Sequence, residues 1–68
     1  MPHYNLTIIT SKNSDSELIH ILEEKYKILL VDKKKHFRNT IKTENGYRVI
    51  LNKEKKNIEI STDLLINL

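Results

Sequence analysis

The order of apolar and polar residues in the first half of the chain predicts a strand, a helix and a second strand. Residues Tyr4 to Thr10 are rich in β-branched and aromatic side chains, which favour a strand. Ser14 and Glu17 have the spacing of a capping box, and the apolar residues from there to Tyr26 recur with a helical period. Lys27 to Val31 then has apolar residues on both faces, which predicts a central strand of the sheet. Continuation of the helix to Val31 is the alternative.

The second half of the chain predicts a β-hairpin from His36 to Thr43 and from Tyr47 to Asn52. The residues between these strands, Glu44-Asn45-Gly46, allow two loop lengths. A two-residue Asn-Gly turn scatters the apolar side chains over both faces. A three-residue loop with Gly46 in the left-handed conformation instead pairs Ile41 with Val49 and gathers the apolar residues on one face. We therefore predict the three-residue loop.

A further strand is predicted from Asn57 to Ser61, after a turn rich in lysine. In this arrangement Ile58 and Ile60 lie opposite Leu51 and Val49, which extends the apolar face of the hairpin. The tail from Thr62 to Leu68 fits either a short helix or an extended lid over apolar surface.

These elements predict a single α+β domain that spans residues 1–68. The order is strand, helix and four further strands, with a short tail element at the C-terminus. We expect the helix to pack on one face of a mixed, mainly antiparallel sheet. The first two strands lie parallel, because a helix between two strands normally makes a crossover connection.

Composition narrows the function classes. A chain of 68 residues cannot fill a second core, which excludes a multidomain enzyme. Cysteine is absent, so there is neither a disulfide nor a thiolate metal site, and a reducing compartment suits the chain. The sequence shows neither a leader pattern nor an apolar stretch long enough to span a membrane, and we expect a cytoplasmic protein. So small a domain has marginal stability, which favours self-association.

Positive charge is concentrated in the second half of the chain. Lys33 to Lys56 contains seven lysines and two arginines against two glutamates. In the predicted register Arg38, Lys42 and Arg48 share the outward face of the hairpin, with Lys42 opposite Arg48. Lysines at one end of the hairpin and in the turn that follows it enlarge this basic surface: Lys33, Lys34, Lys35, Lys53, Lys55 and Lys56. Such a surface predicts binding of nucleic acid without sequence specificity, or of an acidic protein. Alternatively, the lysines only keep the sheet soluble and its edges unpaired.

A second hypothesis rests on apolar residues that one helix cannot cover. Ile9, Ile28 and Leu30, or their neighbours on the opposite face, would remain exposed beside Ile50. An apolar patch of this kind is typical of a protein-interaction or inhibitor surface, including that of a homodimer. The alternative is that the leucines of the tail fold over it.

The polar residues do not assemble into a catalytic or metal-binding pattern. His3, His20 and His36 are dispersed, without the short spacing that metal ligands need. Ser14 and Ser16 are explained better as helix caps than as nucleophiles. We therefore expect a non-enzymatic protein without a metal or cofactor.

Overall fold

A computed structural model describes residues 1–11 and 17–68, apart from the side chain of Leu18. The described residues form five strands and one helix, in the order that the sequence predicts: β1 (His3–Thr10), α1 (Glu17–Glu23), β2 (Ile28–Asp32), β3 (Phe37–Thr43), β4 (Gly46–Lys53) and β5 (Lys56–Asn67). Ser14 of the predicted capping box and Ser16, the other predicted capping serine, lie outside the described residues.

The predicted α+β class is wrong, because the domain is mostly sheet: a single mixed sheet of five strands with one short helix. Helix α1 has only seven residues and ends at Glu23. The turn that follows closes with a hydrogen bond from the Tyr26 N–H to the Leu22 carbonyl oxygen, at 2.9 Å. Ile19 is buried, but Tyr26, predicted on the buried side, is 50% exposed. Two helical turns cannot form a layer that covers a five-stranded sheet. No described helix is long and apolar enough to span a bilayer.

The strands form one mixed sheet in the order β2-β1-β5-β4-β3. Strand β1 lies parallel to β2, as predicted, and also parallel to β5. The other two ladders, β3 with β4 and β4 with β5, are antiparallel, so the sheet is not mainly antiparallel. Strand β2 is an edge strand and not the central strand that its apolar residues predict.

The tail is neither a separate helix nor a lid, because it continues β5 to Asn67. This twelve-residue strand lies between β1 and β4. The predicted partners of its first half are confirmed, since Ile58 pairs with Leu51 and Ile60 with Val49. Its second half pairs Leu64, Leu65 and Ile66 with β1. The tail is therefore extended because it supplies the backbone hydrogen bonds that β1 needs on its second side.

The hairpin register differs from the predicted one. Thr43 pairs with Gly46 across a two-residue loop, Glu44-Asn45, and Ile41 therefore lies opposite Arg48 instead of Val49. Gly46 is buried in β4 with φ of 155°. A Cβ atom there would overlap the Thr62 carbonyl oxygen and lie 3.2 Å from the Asp63 Cα. Glycine is required at this position by the close approach of β5, and not by the turn.

An irregularity in β3 restores part of the apolar face. The register between β3 and β4 shifts between Phe37 and Asn39, which leaves Arg38 as an extra residue on β3. Phe37 thereby lies opposite Leu51 and packs against the core. The bulge thus returns Phe37 to the apolar face, although the register that begins at the loop differs from the predicted one.

The sheet coils until its two edge strands converge at one end. In a flat sheet of five strands, the edges would lie about 19 Å apart. Here β2 and β3 are joined by only Lys33 to His36, and the His36 N–H donates to the Asp32 carbonyl oxygen at 2.9 Å. The His36 carbonyl oxygen in turn accepts the Asn52 N–H at 2.7 Å. The end of β2 therefore lies close to the end of β4.

Coiling allows distant strands to share one core. The buried cluster contains Ile9, Val31, Val49, Leu51 and Ile60, which come from β1, β2, β4 and β5. Ile9 and Val49 are fully buried, at 0% exposure. Partly buried residues packed against this cluster are Tyr4, Leu29, Phe37 and Leu65. The sheet thus provides most of its own core.

Candidate nucleic-acid interface

Lys42 and Arg48 do not share a surface. Lys42 pairs with Tyr47, the residue next to Arg48 on β4. Because successive side chains of a strand alternate between faces, Lys42 and Arg48 project from opposite faces of the sheet. The predicted opposition of these two cations is therefore wrong. That prediction depended on the three-residue loop. A shift of one residue in strand register moves a side chain to the opposite face of the sheet.

Both of these cations also have partners within the chain. The Arg48 Nη1 lies 3.3 Å from Glu59 Oε1 on the neighbouring strand. The Lys42 Nζ lies 4.7 Å from the centre of the Tyr47 ring and donates to the Thr43 carbonyl oxygen at 3.3 Å. All of these contacts are exposed to solvent, so each is weak. Even so, they make Lys42 and Arg48 less suitable for an external anion than unpaired lysines.

The two lysine-rich turns, by contrast, lie side by side. One joins β2 to β3 and contains Lys33 to Lys35, and the other joins β4 to β5 and contains Lys53 to Lys56. They are held together by His36, whose backbone bonds Asn52 and whose Nδ1 lies 3.1 Å from the Asn52 carbonyl oxygen. The bulge residue Arg38 is exposed two positions further along β3. We call this group the lysine end: Lys33, Lys34, Lys35, Arg38, Lys53, Lys55 and Lys56.

The first of these turns is organised by Asp32. Its Oδ1 accepts the backbone N–H groups of Lys34, at 3.0 Å, and of Lys35, at 3.3 Å. An aspartate that binds the N–H groups following it fixes a turn locally. The carboxylate thus orders the backbone of the turn, while the ammonium groups of Lys34 and Lys35 remain exposed.

The second turn has a strained backbone. Lys53 pairs with Lys56, and the two residues between them, Glu54 and Lys55, have φ values of 52° and 65°. Two positive φ values are typical of the hairpin turn that usually contains Asn-Gly. A non-glycine residue in this region costs about 1 kcal/mol or more. At this turn the chain has two charged side chains in place of the residues that would fit it best.

The lysine end has little internal charge compensation. No described acidic side chain forms an ion pair with any of its cations, since the ion pairs among residues 1–11 and 17–68 are His3 with Asp63 and Arg48 with Glu59. Lys33 Nζ donates to the Leu68 carbonyl oxygen at 3.0 Å. The cluster is thus an exposed region of positive potential.

A second polar cluster, which the sequence analysis missed, links β1 to β5. The Ser61 Oγ lies 2.6 Å from His3 Nδ1, and the His3 Nε2 lies 3.1 Å from Asp63 Oδ1. Asn5 Nδ2 donates to the other Asp63 oxygen at 3.4 Å. His3 and Ser61 are far apart in sequence and meet because they pair across the parallel ladder. The sequence would predict this contact between His3 and Ser61 only if the tail were predicted to pair with β1.

Serine, histidine and aspartate in this order occur in serine hydrolases, but the surroundings here are unfavourable for a nucleophile. His3 and Asp63 are 52% and 50% exposed, so water competes for their hydrogen bonds. Arg48, the cross-strand neighbour of Ser61, is bonded to Glu59 instead of facing an oxyanion site. An adjacent groove of about 430 Å³ is lined by mainly polar residues: Met1, Thr43, Glu44, Asn45, Arg48 and Ser61. We interpret the cluster as a polar link between β1 and β5.

This interpretation predicts that a fluorophosphonate probe will not label Ser61. A serine without a water-excluding site and positioned oxyanion donors lacks most of the required activation. The measurement is intact-mass spectrometry after incubation of the folded protein with the probe. Labelling of the wild type that disappears in both Ser61→Ala and His3→Ala would contradict it.

The four predicted interface residues do not form one patch. Ile9 is fully buried, Ile28 and Ile50 are half-buried, and Leu30 is 43% exposed. Ile50 pairs with Asn39 on β3 and with Glu59 on β5, and neither of these strands is a neighbour of β2 in the sheet. Ile28 and Leu30 instead belong to two apolar rows that cross β2, β1 and β5: Ile28, Leu6 and Leu64 in one, Leu30, Ile8 and Ile66 in the other.

No group of three or more histidine and acidic residues in the described part of the chain could hold a metal ion. Comparison of the chain with protein-family models, with curated proteins and with solved structures found no match. The function must therefore be argued from the geometry of its own residues.

Proposed function

We propose that this protein binds nucleic acid without sequence specificity, through the lysine end. The observation that carries the proposal is the pair of contacts between His36 and Asn52, which place two lysine-rich turns side by side. The lysine end thereby brings together seven exposed cations from three segments, and the acidic residues within or next to these segments are Asp32 and Glu54. The hairpin cations Lys42 and Arg48, which lie on opposite faces, are not part of this surface.

The physical basis is the release of counterions from the phosphate backbone. Each phosphate that a protein neutralises on a DNA duplex contributes about −0.9 to the slope of log affinity against log salt concentration. If four or five of the cations contact phosphates, we expect a slope of about −4. Affinity then falls about a hundredfold or more between roughly 50 mM and 200 mM salt.

Binding through the lysine end is not expected to read base sequence. Lysine ammonium groups on turns are suited to phosphate oxygens, which carry no sequence information directly. Sequence is read when a helix or a β-ribbon enters the major groove and presents polar side chains to base edges. The described helix α1 has seven residues and contains none of the cations of the lysine end. Random-sequence duplexes should therefore bind about equally well.

The test is a salt titration of binding to a short DNA duplex, measured by fluorescence anisotropy. The double variant Lys34→Glu with Lys55→Glu reverses one charge in each turn, and we expect at least a tenfold loss of affinity and a shallower salt slope. The matched control, Lys25→Glu with Lys42→Glu, makes the same change in net charge at two exposed lysines outside the lysine end. We expect the control to stay within about threefold of the wild type.

Equal losses in the two double variants would show that binding follows net charge and not the lysine end. Absence of binding at low salt, to both DNA and RNA duplexes, would also overturn the proposal. An acidic protein would then be the remaining anionic partner for this surface. Circular dichroism of each variant establishes that it is folded.

A further inference from the structure

Strand β2 is an edge of the sheet, and one side of its backbone has no partner among the residues that the structure describes. The Lys27 carbonyl oxygen accepts the Asn5 N–H, and the Lys27 N–H donates to the Asn5 side chain, both at 2.8 Å. The Lys33 N–H likewise donates to the Thr10 carbonyl oxygen, at 3.0 Å. In a parallel ladder, alternate residues direct both backbone groups to the same neighbour. Ile28, Leu30 and Asp32 therefore direct theirs to the free edge of the sheet.

The two edges of the sheet differ in how they are protected. Strand β3 has a bulge at Arg38 and exposed cations at Arg38 and Lys42, which are features that prevent edge pairing. Strand β2 has none of these features between Ile28 and Val31, where all four residues are aliphatic. Leu30, in the middle of this edge, is 43% exposed. An apolar edge of this kind is suited to pairing with another strand.

We propose that β2 pairs with β2 of a second copy of this chain, antiparallel and around a two-fold axis perpendicular to the sheet. This axis does not exchange the two faces of the sheet. A residue of one copy can therefore lie opposite the same residue of the other copy, or opposite a residue an even number of positions away in sequence. The proposal concerns a surface separate from the lysine end.

The backbone N–H and carbonyl groups at the free edge of β2 determine the register in which the two β2 strands pair. The Asp32 carbonyl oxygen is already bonded to the His36 N–H, so Asp32 cannot complete a pair of bonds. Ile28 and Leu30 each have an N–H and a carbonyl group without a partner in residues 1–11 and 17–68. A register centred on Leu29 places Ile28 of each copy opposite Leu30 of the other and satisfies all four groups on each chain. The paired side chains are aliphatic on both sides, so the edge is complementary to itself.

The apolar rows of β2, β1 and β5 support a second copy as the occupant. They lie on the face that carries Ile28 and Leu30, and they include exposed Leu64 and Ile66, at 64% and 42%. Pairing two copies makes these rows continuous across the dimer. Five residues of edge contact cover less than the roughly 800 Å² per partner of a standard interface. We therefore expect a reversible dimer with a dissociation constant in the micromolar range or weaker.

Sedimentation velocity over a concentration series, from about 10 μM to 1 mM, is the first test. We expect the weight-average mass to rise toward that of a dimer with concentration. Leu30→Lys places a charge at the centre of the contact and should shift the dissociation constant at least tenfold. Ile21→Lys, at a residue on α1 that is 56% exposed, makes the same change elsewhere and should leave dimerisation unchanged.

Oxidative cross-linking tests the register. The chain has no cysteine, so a single introduced cysteine reports on one position only. Leu29→Cys places two thiols opposite each other at the two-fold axis, and we expect it to form a covalent dimer much faster than Ile21→Cys. A monomer at about 1 mM overturns the proposal, even if an extended peptide binds the edge. A dimer that Leu30→Lys does not weaken also overturns it.

Discussion

Substitution of Gly46 by alanine is expected to destabilise the domain by about 3 kcal/mol. The residue has φ of 155°, and a side chain there would meet the Thr62 carbonyl oxygen of the adjacent strand. Backbone strain and overpacking each cost about 1–3 kcal/mol. A domain of this size has on the order of 3–5 kcal/mol of total stability, so the variant should be largely unfolded at room temperature. Urea denaturation followed by circular dichroism measures the change.

The control for this experiment is Asn45→Ala, in the exposed loop next to Gly46. Its backbone has a negative φ, so alanine fits, and we expect a change of less than about 1 kcal/mol. If Gly46→Ala were as stable as the wild type, β4 and β5 could not approach each other as closely as described, and the hairpin register would have to be revised.

A lysine in place of Ile9 is expected to prevent folding altogether. Ile9 is completely buried and lies in the core cluster with Val31, Val49, Leu51 and Ile60. No described carboxylate belongs to this cluster, so the ammonium group would be buried without a partner. That cost is several kcal/mol, in addition to the lost apolar packing, and exceeds the expected stability of the domain. The amide spectrum of the variant should have the narrow dispersion of an unfolded chain.

The matched control is Leu30→Lys, which introduces the same side chain at the edge of the same sheet. At 43% exposure, Leu30 leaves room for the lysine stem to lie along the surface with its charge in water. We expect this variant to be folded and to retain wild-type amide dispersion. Folded Ile9→Lys would mean that the coiled sheet does not enclose this position.

Local sequence signals predict the five strands, the helix and their order, but not the continuation of β5 through the tail. The β-branched run at the start of the chain, the parallel relation of β1 to β2 and the pairing of Ile58 and Ile60 with β4 are all confirmed. Each depends on short-range pattern, namely side-chain alternation, helical period and strand length. The lengths of the helix and the strands were harder to predict, because the last turn of α1 and the second half of β5 depend on the residues that they contact.

Three errors share a physical cause, which is contact between residues distant in sequence. Asn45-Gly46 has the composition of a tight turn, yet Gly46 is needed for the approach of β5. The apolar residues of β2 suggested a central strand, whereas the tail is the strand inserted between β1 and β4. The sequence predicts an α+β class because a helix between two strands normally forms a separate layer, whereas here the coiled sheet largely covers its own core. The preference of a residue type for helix or strand does not contain information on contacts between residues distant in sequence.

The sequence predicts which residue types form the candidate site, but not where these residues lie in the sheet. All the lysines of the lysine end were identified from charge clustering alone. Their grouping depends on the His36 contacts with Asn52, which follow from the pairing of Phe37 with Leu51 in the observed hairpin register. The predicted register differs from the observed one by a single position, and this difference alone places Lys42 and Arg48 on one face. The polar link of His3 with Ser61 needed the tail to be a strand.

The position of β5 has a consequence for biosynthesis. Residues 56–67 are the last of the sheet to be made, yet they lie between β1 and β4. Until they leave the ribosome, the first two strands and the hairpin cannot be joined, and the core residues of both parts remain open to water. The five strands therefore come together in one sheet only after residue 67 has left the ribosome. In a nascent chain that stalls before residue 56, the edges of β1 and β4 that pair with β5 stay exposed to chaperones and proteases.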